Sequence, residues 1–532
     1  MLKKTFQAQT SRRVFLQAAG AMGIVAALSA CAGPASTTKP SPSAAALDKN
    51  GTIEAGISYA LSTGFDPMTT TGAVTVAANW HVFEGLVELD PVTREVYAAL
   101  ASELPAVSGR KITATIRDGA VFHDGTPVTT DDVVFSFERV LNPANNSLYL
   151  TFLPFLESVK KIDGTTVELT LKDEFSLALE RLSVVKIVPK ALVEANLAGF
   201  DALPVGTGPF KMLTATKDDK ITFERFDAYT GSRPALAAAM TWNLLSDAAA
   251  RVTAAESGRV QAIEDVPYID VDRLGSSLEV ESVQSFGQLF MMFNCSVAPF
   301  DDKRVRQAFR YAIDYDKLIT TGMLGQATAA TSYLQKEHPS YKKASTIYSY
   351  DVKKAKKLLK EAGVENLSIT LLATDTSWVK DVLPLIKEDL DAIGIPTTLD
   401  INQSGAQYKK VDEGGLQVMV APGDPSVFGN DADLLLRWWY GATTAWPTKR
   451  YRWADSEEFA TITEKLDAAV AERDAKKQAA IWGEVFDIIA EECPVYPLVH
   501  RKLPSAWDKD ALSGFAPVSF TGLSFLDVAR SA

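Results

Sequence analysis

The sequence predicts an α/β fold divided into two large lobes, and three observations carry that reading. Between Leu367 and Val420 the strand and helix signals alternate as β-α-β-α-β, the order of a parallel sheet with right-handed crossovers. Before residue 295 the strand signals sit beside Asp-Gly turn pairs, as at Asp118-Gly119 and Asp163-Gly164, which is hairpin chemistry in a mixed α+β half. Setting aside the first 30 of 532 residues leaves 502, about three domains or two lobes at ~150 residues each. The sheet type changes near residues 295–300 without a flexible linker, so strands are expected to join the halves.

Taken in order, apolar residues alternate at Ile53, Ala55, Ile57 and Tyr59 and predict a first strand. Ile112, Ala114 and Ile116 predict a second, which halts at Asp118-Gly119 and resumes at Val121-Phe122 in hairpin fashion. Thr129-Thr130-Asp131-Asp132 supplies an N-cap and an acidic first turn to a helix that buries Val133, Phe137, Val140 and Leu141. Val167, Leu169 and Leu171 form another strand. A short helix with a serine cap and a glycine stop is predicted over Ser246–Gly258, and a strand over Gln288–Asn294. Helical spacing then runs through Asp302–Ile319 and through Asp351–Ala362, the latter closed by Gly363. Strand Leu367–Ala373, helix Ser377–Ile393, strand Ile395–Ile401, helix Ala406–Asp412 and strand Leu416–Val420 follow. Two helices fill Ser456–Ile489, Pro494–Val499 returns as strand, and Leu503–Ala532 carries little helix signal.

The N-terminus reads as an address. Residues 1–30 join a basic stretch to an apolar, Ala- and Gly-rich segment from Val14 to Ala30, a secretory signal layout rather than a membrane span. Ser11-Arg12-Arg13-Val14-Phe15-Leu16 resembles the twin-arginine export signal, read through Arg12 and Arg13. Leu28-Ser29-Ala30-Cys31 resembles the lipobox of bacterial lipoproteins, with Cys31 as the lipidated residue. From Cys31 to Asn50 small and polar residues dominate, so this stretch is read as a flexible tether. The 19 residues after Cys31 reach at most ~60 Å at ~3.3 Å each. No run of about 18 apolar residues follows, and the body is placed outside the cytoplasm, on the outer face of the cytoplasmic membrane or in the periplasm.

Composition narrows the function classes. The four basic residues of the first 30 offset four acids, so the rest of the chain carries −16 against −12 for the whole. Nucleic acid is therefore excluded as a partner, because its affinity rests on Lys and Arg neutralising phosphates. Three cysteines make neither a disulfide scaffold nor a four-thiolate zinc site. Cys295 and Cys493 flank the strands expected to join the halves and are read as two thiols, since twin-arginine substrates fold in a reducing cytosol. The four histidines, His81, His123, His338 and His500, show no metal-ligand spacing. No nucleophile elbow, Walker loop or dinucleotide fingerprint is present, and the run Val205-Gly206-Thr207-Gly208-Pro209-Phe210 ends in Pro-Phe as a tight turn does. The chain is read as a non-enzyme without cofactor or metal, with a secreted hydrolase assembled from distant carboxylates as the alternative class.

Several segments together resemble the extracytoplasmic solute-binding proteins of ABC transporters, family 5, which include the oligopeptide- and dipeptide-binding proteins. They are Phe65-Asp66-Pro67, the stretch from Asn79 to Val87, the block from Ile116 to Ser136 around Phe122-His123-Asp124-Gly125-Thr126-Pro127, the run from Val205 to Phe210, Phe293-Asn294 with Phe300 to Ala308, and Ala355 to Gly363. The resemblance implies a periplasmic-binding-protein-like fold of type II, cluster C-like, in which two lobes joined by two hinge strands close on a solute and deliver it to the transmembrane subunits of a permease. The first lobe would hold residues 48–293 plus 503–532, with an extra subdomain near 85–204, and the second residues 296–498. The chain is expected to act as a monomer.

In open α/β sheets ligands sit beyond the carboxyl ends of strands, and the strand ending at Val420 runs into a Pro- and Gly-set loop from Ala421 to Asn430. Asp424, Phe428 and Asn430 are its candidate contacts. In peptide-binding relatives this loop carries an aspartate for the peptide ammonium two residues before a second acid and a proline. Here Asp424-Pro425 matches the second acid, and the earlier position falls on proline or alanine. Trp438, Trp439 and Tyr440 follow, then Trp446, Arg450 and Trp453. Such aromatics and guanidinium groups either stack on ligand or cover the core of the second lobe. Three adjacent aromatics cannot face one way on a helix. A short peptide is the first ligand expected and an oligosaccharide the second.

Cys31→Ser is expected to yield a protein without acyl chains that leaves the membrane fraction, because each buried CH₂ contributes about 0.8 kcal/mol to anchoring. Replacing Arg12 and Arg13 together by Lys is expected to abolish export, read by fractionation of the cells.

Overall fold

The computed structural model describes residues 47–442 and 444–532. The export signal with Arg12 and Arg13, the lipobox with Cys31 and the tether as far as residue 46 lie outside the described residues. The end of the tether is not free: Leu47–Asp48 is a strand paired with Ala529–Ser531.

The architecture is organised by one eleven-stranded mixed sheet. From one edge its order is Thr397–Asn402, Ile369–Thr374, Val418–Gly423, Glu279–Phe293, Val495–Trp507, Ala262–Ile263, Thr52–Ile57, Ala239–Leu244, Lys220–Arg225 and Phe210–Thr216, with Ala327–Ala329 paired beside Val495–Trp507. The first three strands are parallel, as the β-α-β-α-β order predicts. Their crossovers are the helices Ser377–Ala392 and Ser404–Asp412. At the other edge Phe210–Thr216, Lys220–Arg225 and Ala239–Leu244 run antiparallel, and Ala239–Leu244 pairs in parallel with Thr52–Ile57.

Two strands pass through both halves. Glu279–Phe293 and Val495–Trp507 are 15 and 13 residues long and pair antiparallel from Glu279 opposite Trp507 to Met292 opposite Val495. The register slips between Gln284 and Gln288, in the middle of the ladder. Sequence reading finds only the apolar ends, Gln288–Asn294 and Pro494–Val499. The polar run Glu281-Ser282-Val283-Gln284 lacks a buried stripe, and Pro504 lies beyond the strand read over Pro494–Val499, which contains Pro497. Both prolines nevertheless occupy ladder positions, opposite Phe290 and Ser282, and residues 503–507 continue the strand.

Local signals explain most other elements. The helix Thr130–Leu141 starts with a reciprocal capping box, in which the Thr129 hydroxyl accepts from the Asp132 N–H at 3.3 Å and the Asp132 carboxylate accepts from the Thr129 N–H at 2.9 Å. Asp351 caps Val352–Glu361, and Gly363 adopts φ +69° just beyond its end, a conformation that favours glycine. Three expectations are corrected. The helix predicted from Ser246 is Ala248–Glu256, capped by Asp247, whose carboxylate accepts from the Ala250 N–H at 2.8 Å. The helix predicted over Asp302–Ile319 stops at Ala312, because Asp314 accepts from the Lys317 N–H at 3.0 Å and caps a new turn. Lys111–Thr115 pairs with Ala106–Ser108 and Thr166–Leu171 rather than with Val121-Phe122, and Val121 bridges to Pro127 instead.

Ala106–Ser108, Lys111–Thr115, Thr166–Leu171 and Leu156–Lys161 form a separate four-stranded antiparallel sheet covered by the helix Thr130–Leu141. Its apolar side chains, among them Ile112, Val167 and Leu169, belong to the same buried cluster as Phe290, Val420 and Leu435 of the β-α-β half. Ile53, Phe210, Trp242 and Phe525 form a second cluster under the other half. Cys295 and Cys493 are free, buried thiols, and burial pushes the Cys295 thiol up to about 12.

Thr129→Ala removes one side of the capping box and is expected to lower stability by about 1 kcal/mol, measured by denaturant unfolding, with the helical circular dichroism of the native protein unchanged.

Candidate functional site

The strand Val418–Gly423 ends at the middle of the large sheet, and the chain turns there into the segment that holds Asp424. Asp424 caps the short turn Pro425–Val427, accepting from the Ser426 N–H at 3.2 Å and from the Ser426 hydroxyl. Its second oxygen accepts from the N–H and hydroxyl of Thr521, at 3.3 and 3.4 Å, on the C-terminal tail. Burial pushes its carboxyl above the usual range. Among the described residues Asp424 accepts no hydrogen bond from a charged side chain, while the nearby Arg501 guanidinium, not paired with it, favours its ionised form.

Asp424 faces a cavity of about 550 Å³ bounded by both halves of the sheet. Tyr59, Thr71, Leu148 and Thr521 line one side, Trp378, Tyr408, Phe428, Trp438, Trp446 and Arg450 the other, and Gln288 and Arg501 rise from the two crossing strands. That volume suits a small organic ligand. Trp446–Arg450 is a π-helical turn. Its extra residue per turn sets the Arg450 guanidinium 4.3 Å from the Trp446 ring centre and 4.5 Å from that of Tyr408, while Arg450 Nε donates to Asp412 at 3.1 Å. Such turns recur at functional sites, and the rings hold the guanidinium by cation–π attraction. Arg501 donates to Asp265 at 2.6 Å and lies 4.7 Å over the Trp378 ring. Arg501 Nε, Gln288 Oε1, Trp378 Nε1 and Trp439 Nε1 are buried without a hydrogen-bond partner among the described residues. Buried polar groups are nearly always satisfied, so Arg501, Gln288 and Trp378 leave hydrogen-bonding capacity unused on residues that line this cavity.

The sequence-derived candidates divide. Asp424, Phe428, Trp438 and Trp439 line the cavity. Asn430 and Tyr440 do not. The Asn430 carbonyl accepts from His338 Nε2 at 2.6 Å, and the buried Tyr440 hydroxyl donates to the Val495 carbonyl. The helix Ala432–Tyr440 turns about 100° per residue, so its three consecutive aromatics face three ways. Trp438 is half-buried and reaches Phe152 and Phe428, with ring centres at 6.1 and 5.2 Å. Trp439 is only 1% exposed and packs on Phe290 and Trp446 at 4.9 and 4.2 Å. A Cβ at Gly423 would overlap its ring, so glycine at this strand end is a steric requirement. Arg501, Gln288, Tyr59, Trp378 and Thr521 were not found from the sequence, because each comes from a different part of the chain and none sits in a motif.

A buried ion network joins the four-stranded sheet region to the second half beside this cavity. Arg181, fully buried, donates to Asp431 at 2.6 and 3.2 Å, to Asp433 at 3.0 Å and to the Phe152 carbonyl at 2.7 Å. Asp431 also caps the helix Ala432–Tyr440 through the Leu434 N–H at 2.9 Å, and Asp433 accepts from Arg437 Nε at 2.8 Å. Nearby, Arg94 donates to the Ser426 carbonyl at 2.6 Å and lies 4.3 Å over the Phe520 ring. Arg94 has no carboxylate partner among the described residues, and burial lowers its guanidinium to about 10. The histidines serve structure: His81 accepts from the Phe525 N–H at 2.9 Å while its other ring nitrogen donates to the Ala77 carbonyl, and burial pulls it down to about 4. Among the described residues no cluster of three or more His, Cys, Asp or Glu is placed to hold a metal ion, and no helix is long and apolar enough to cross a membrane.

Arg181→Ala leaves two buried carboxylates with one cation fewer, and it is expected to lower unfolding stability by about 3–5 kcal/mol in denaturant titrations. Arg181→Lys, which keeps the charge but loses the fork, is expected to recover part of that loss.

The family described as bacterial extracellular solute-binding proteins, family 5, matches residues 95–447. A glutathione-binding protein, GsiB of Salmonella paratyphi A, is 29% identical over 480 residues, 87% of this chain and 92% of its own. The structure of DppA from Helicobacter pylori in complex with the peptide STSA superposes with a TM-score of 0.81 at 24% identity, covering 91% of this chain and 98% of the other. The binding protein AgaA of A. tumefaciens in complex with agropinic acid gives 0.78 at 29% identity, covering 88% and 96%. The two-lobed architecture is thus that of periplasmic binding proteins, whose family binds solutes rather than transforming them, and the chain belongs to the bacterial extracellular solute-binding proteins of family 5.

Proposed function

We propose that this chain captures a short peptide in the cavity between two lobes, residues 48–293 plus 503–532 and residues 296–498, and hands it to the permease of an ABC importer. The observation that carries the reading is Asp424: a desolvated carboxylate that forms no ion pair among the described residues, facing a cavity walled by both halves. A ligand ammonium is the group that completes such a site, and a charge-assisted hydrogen bond to it contributes about 1.5–3 kcal/mol. The apolar faces of Trp438 and Phe428 and the hydroxyls of Tyr59 and Thr521 offer side-chain and backbone contacts around it. The relatives' printed ligands, glutathione, the peptide STSA and agropinic acid, support a solute built on amino acids.

Closure on the ligand follows from the lining. Contacts to both halves stabilise the closed arrangement only when the same molecule touches both, and Thr521 with Asp424 is one place where the halves already meet. Membrane attachment through lipidated Cys31 and export through Arg12 and Arg13 complete the reading. The protein would then hang from the outer face of the membrane near its permease and work as a monomer.

Mass spectrometry of the small molecules released on denaturing freshly purified protein is expected to find short peptides. Adding them back to protein stripped of ligand is expected to change tryptophan fluorescence and shrink the radius of gyration. Asp424→Ala is expected to weaken that binding by roughly 1.5–3 kcal/mol, about ten- to a hundredfold. Undiminished affinity in this variant, measured by calorimetry, would remove Asp424 from the site and the peptide reading with it.

A further inference from the structure

Two neighbouring residues of the C-terminal tail, Phe520 and Thr521, grip the Asp424 turn, one through Arg94 and one directly. Thr521 donates to Asp424 through its N–H and hydroxyl, at 3.3 and 3.4 Å. The Phe520 ring lies 4.3 Å from the Arg94 guanidinium, and Arg94 Nη2 donates to the Ser426 carbonyl at 2.6 Å. Ser426 in turn donates to Asp424 through its N–H, at 3.2 Å, and through its hydroxyl. A chain of contacts therefore runs to the cavity carboxylate from Arg94, which sits on the tip between the paired strands Val87–Leu89 and Val96–Ala98.

Arg94 is fastened to its own half before it reaches across. Asp90 closes the tip by accepting from the Val92 and Thr93 N–H groups at 2.8 and 2.6 Å. Arg233 pairs with Asp90 and, at 3.1 Å, with Asp527 of the tail, and it lies 4.7 Å from the Tyr97 ring centre. Phe520 is braced edge-on by Trp80, with ring centres 4.6 Å apart. Arg94 itself stands at φ +63°, a left-handed conformation that is costly for a residue with a Cβ and persists where the surroundings over-determine it. These contacts aim the guanidinium at the turn that follows the strand Val418–Gly423 of the other half. Burial lowers that guanidinium to about 10, and Asp424 is the carboxylate that acts most strongly against the lowering.

We propose that Arg94 is a positioning residue: its hydrogen bond to the Ser426 carbonyl latches the two lobes together and, through Ser426, orients Asp424 in the cavity. Asp90, Arg233 and Phe520 hold the tip and the guanidinium on one side only, so the latch forms with little further ordering of side chains. With the lobes apart Ser426 is out of its reach, and Arg94 adds nothing to that form. A group that stabilises one of two conformations shifts the balance between them by its differential interaction alone, so Arg94 governs how long a solute stays enclosed rather than how fast it arrives. This inference rests on the reading that two lobes close on a solute, and it names the residue that holds them closed.

Arg94→Gly tests it, because glycine takes the left-handed tip conformation without strain and only the side chain is lost. Spin labels on one exposed residue of each half report closure as a short distance in electron paramagnetic resonance, and stopped-flow tryptophan fluorescence reports the kinetics of the tripeptide Ala-Ala-Ala. With the tripeptide bound, the short-distance population of Arg94→Gly is expected to fall at least threefold. Its dissociation rate is expected to rise at least threefold, with the association rate within twofold and the melting temperature of the ligand-free protein unchanged. Arg94→Lys, which keeps a cation but loses the planar fork, is expected to recover part of both losses. An unaltered dissociation rate and closed population would overturn the latch and leave solute capture standing. A ligand-free melting temperature lowered as far as that of the loaded protein would make Arg94 a residue of the fold and overturn the latch as well. If Ala-Ala-Ala neither binds nor closes the unaltered protein, the peptide reading fails and the ligand-free populations decide the latch, which equal short-distance populations in the two proteins would overturn.

Discussion

The rest of the structure depends on the antiparallel pairing of two strands long enough to belong to both halves. Glu279–Phe293 and Val495–Trp507 are hydrogen-bonded along most of their length, and every other strand of the large sheet is added outward from this pair. A ladder this long resists sliding, because a slip of one residue would turn each side chain to the opposite face. Its register is irregular between Gln284 and Gln288 and again between Leu289 and Phe290. Gly287 and Gln288, at the first of these irregularities, line the cavity.

Two kinds of contact hold the halves together beside the cavity, and they differ physically. The Tyr149, Phe152, Phe428 and Trp438 rings meet at 5.2 to 6.2 Å, a non-directional contact worth about 0.5–1.5 kcal/mol per pair beyond its area. The Arg181 network is directional and desolvated. A buried pair of this kind gains little over an apolar replacement but loses much when one partner is removed. It therefore specifies how the two halves meet more than it adds net stability.

Inside the cavity the charged groups are held apart by partners of their own. Arg450 lies between two aromatic faces and Asp412, Arg501 between Trp378 and Asp265, and Asp424 among neutral donors. Such preorganisation means that a ligand finds its counter-charges already oriented, so less binding energy is lost in ordering side chains. The Asp424 carboxyl, raised by burial, has already lost the hydration that pairing with a cation would otherwise cost it.

The sequence by itself determined what depends on neighbours along the chain. Thr129 and Asp132 formed their capping box, Asp351 and Gly363 bounded their helix, and the β-α-β-α-β order from Leu367 to Val420 became parallel strands, because caps, left-handed glycines and crossovers are decided within a few residues or by connection length. The family was legible in its turn and cap segments, and Asp424 in its place after a parallel strand. Only the tertiary structure decided the rest. How far the strand at Pro494–Val499 extends, which of Trp438, Trp439 and Tyr440 faces the cavity, and whether Arg181 meets Asp431 all depend on what packs opposite. Arg501, Gln288 and Thr521 join Asp424 from 77 to 136 positions away, and no local pattern encodes a contact that exists only once the crossing strands have paired.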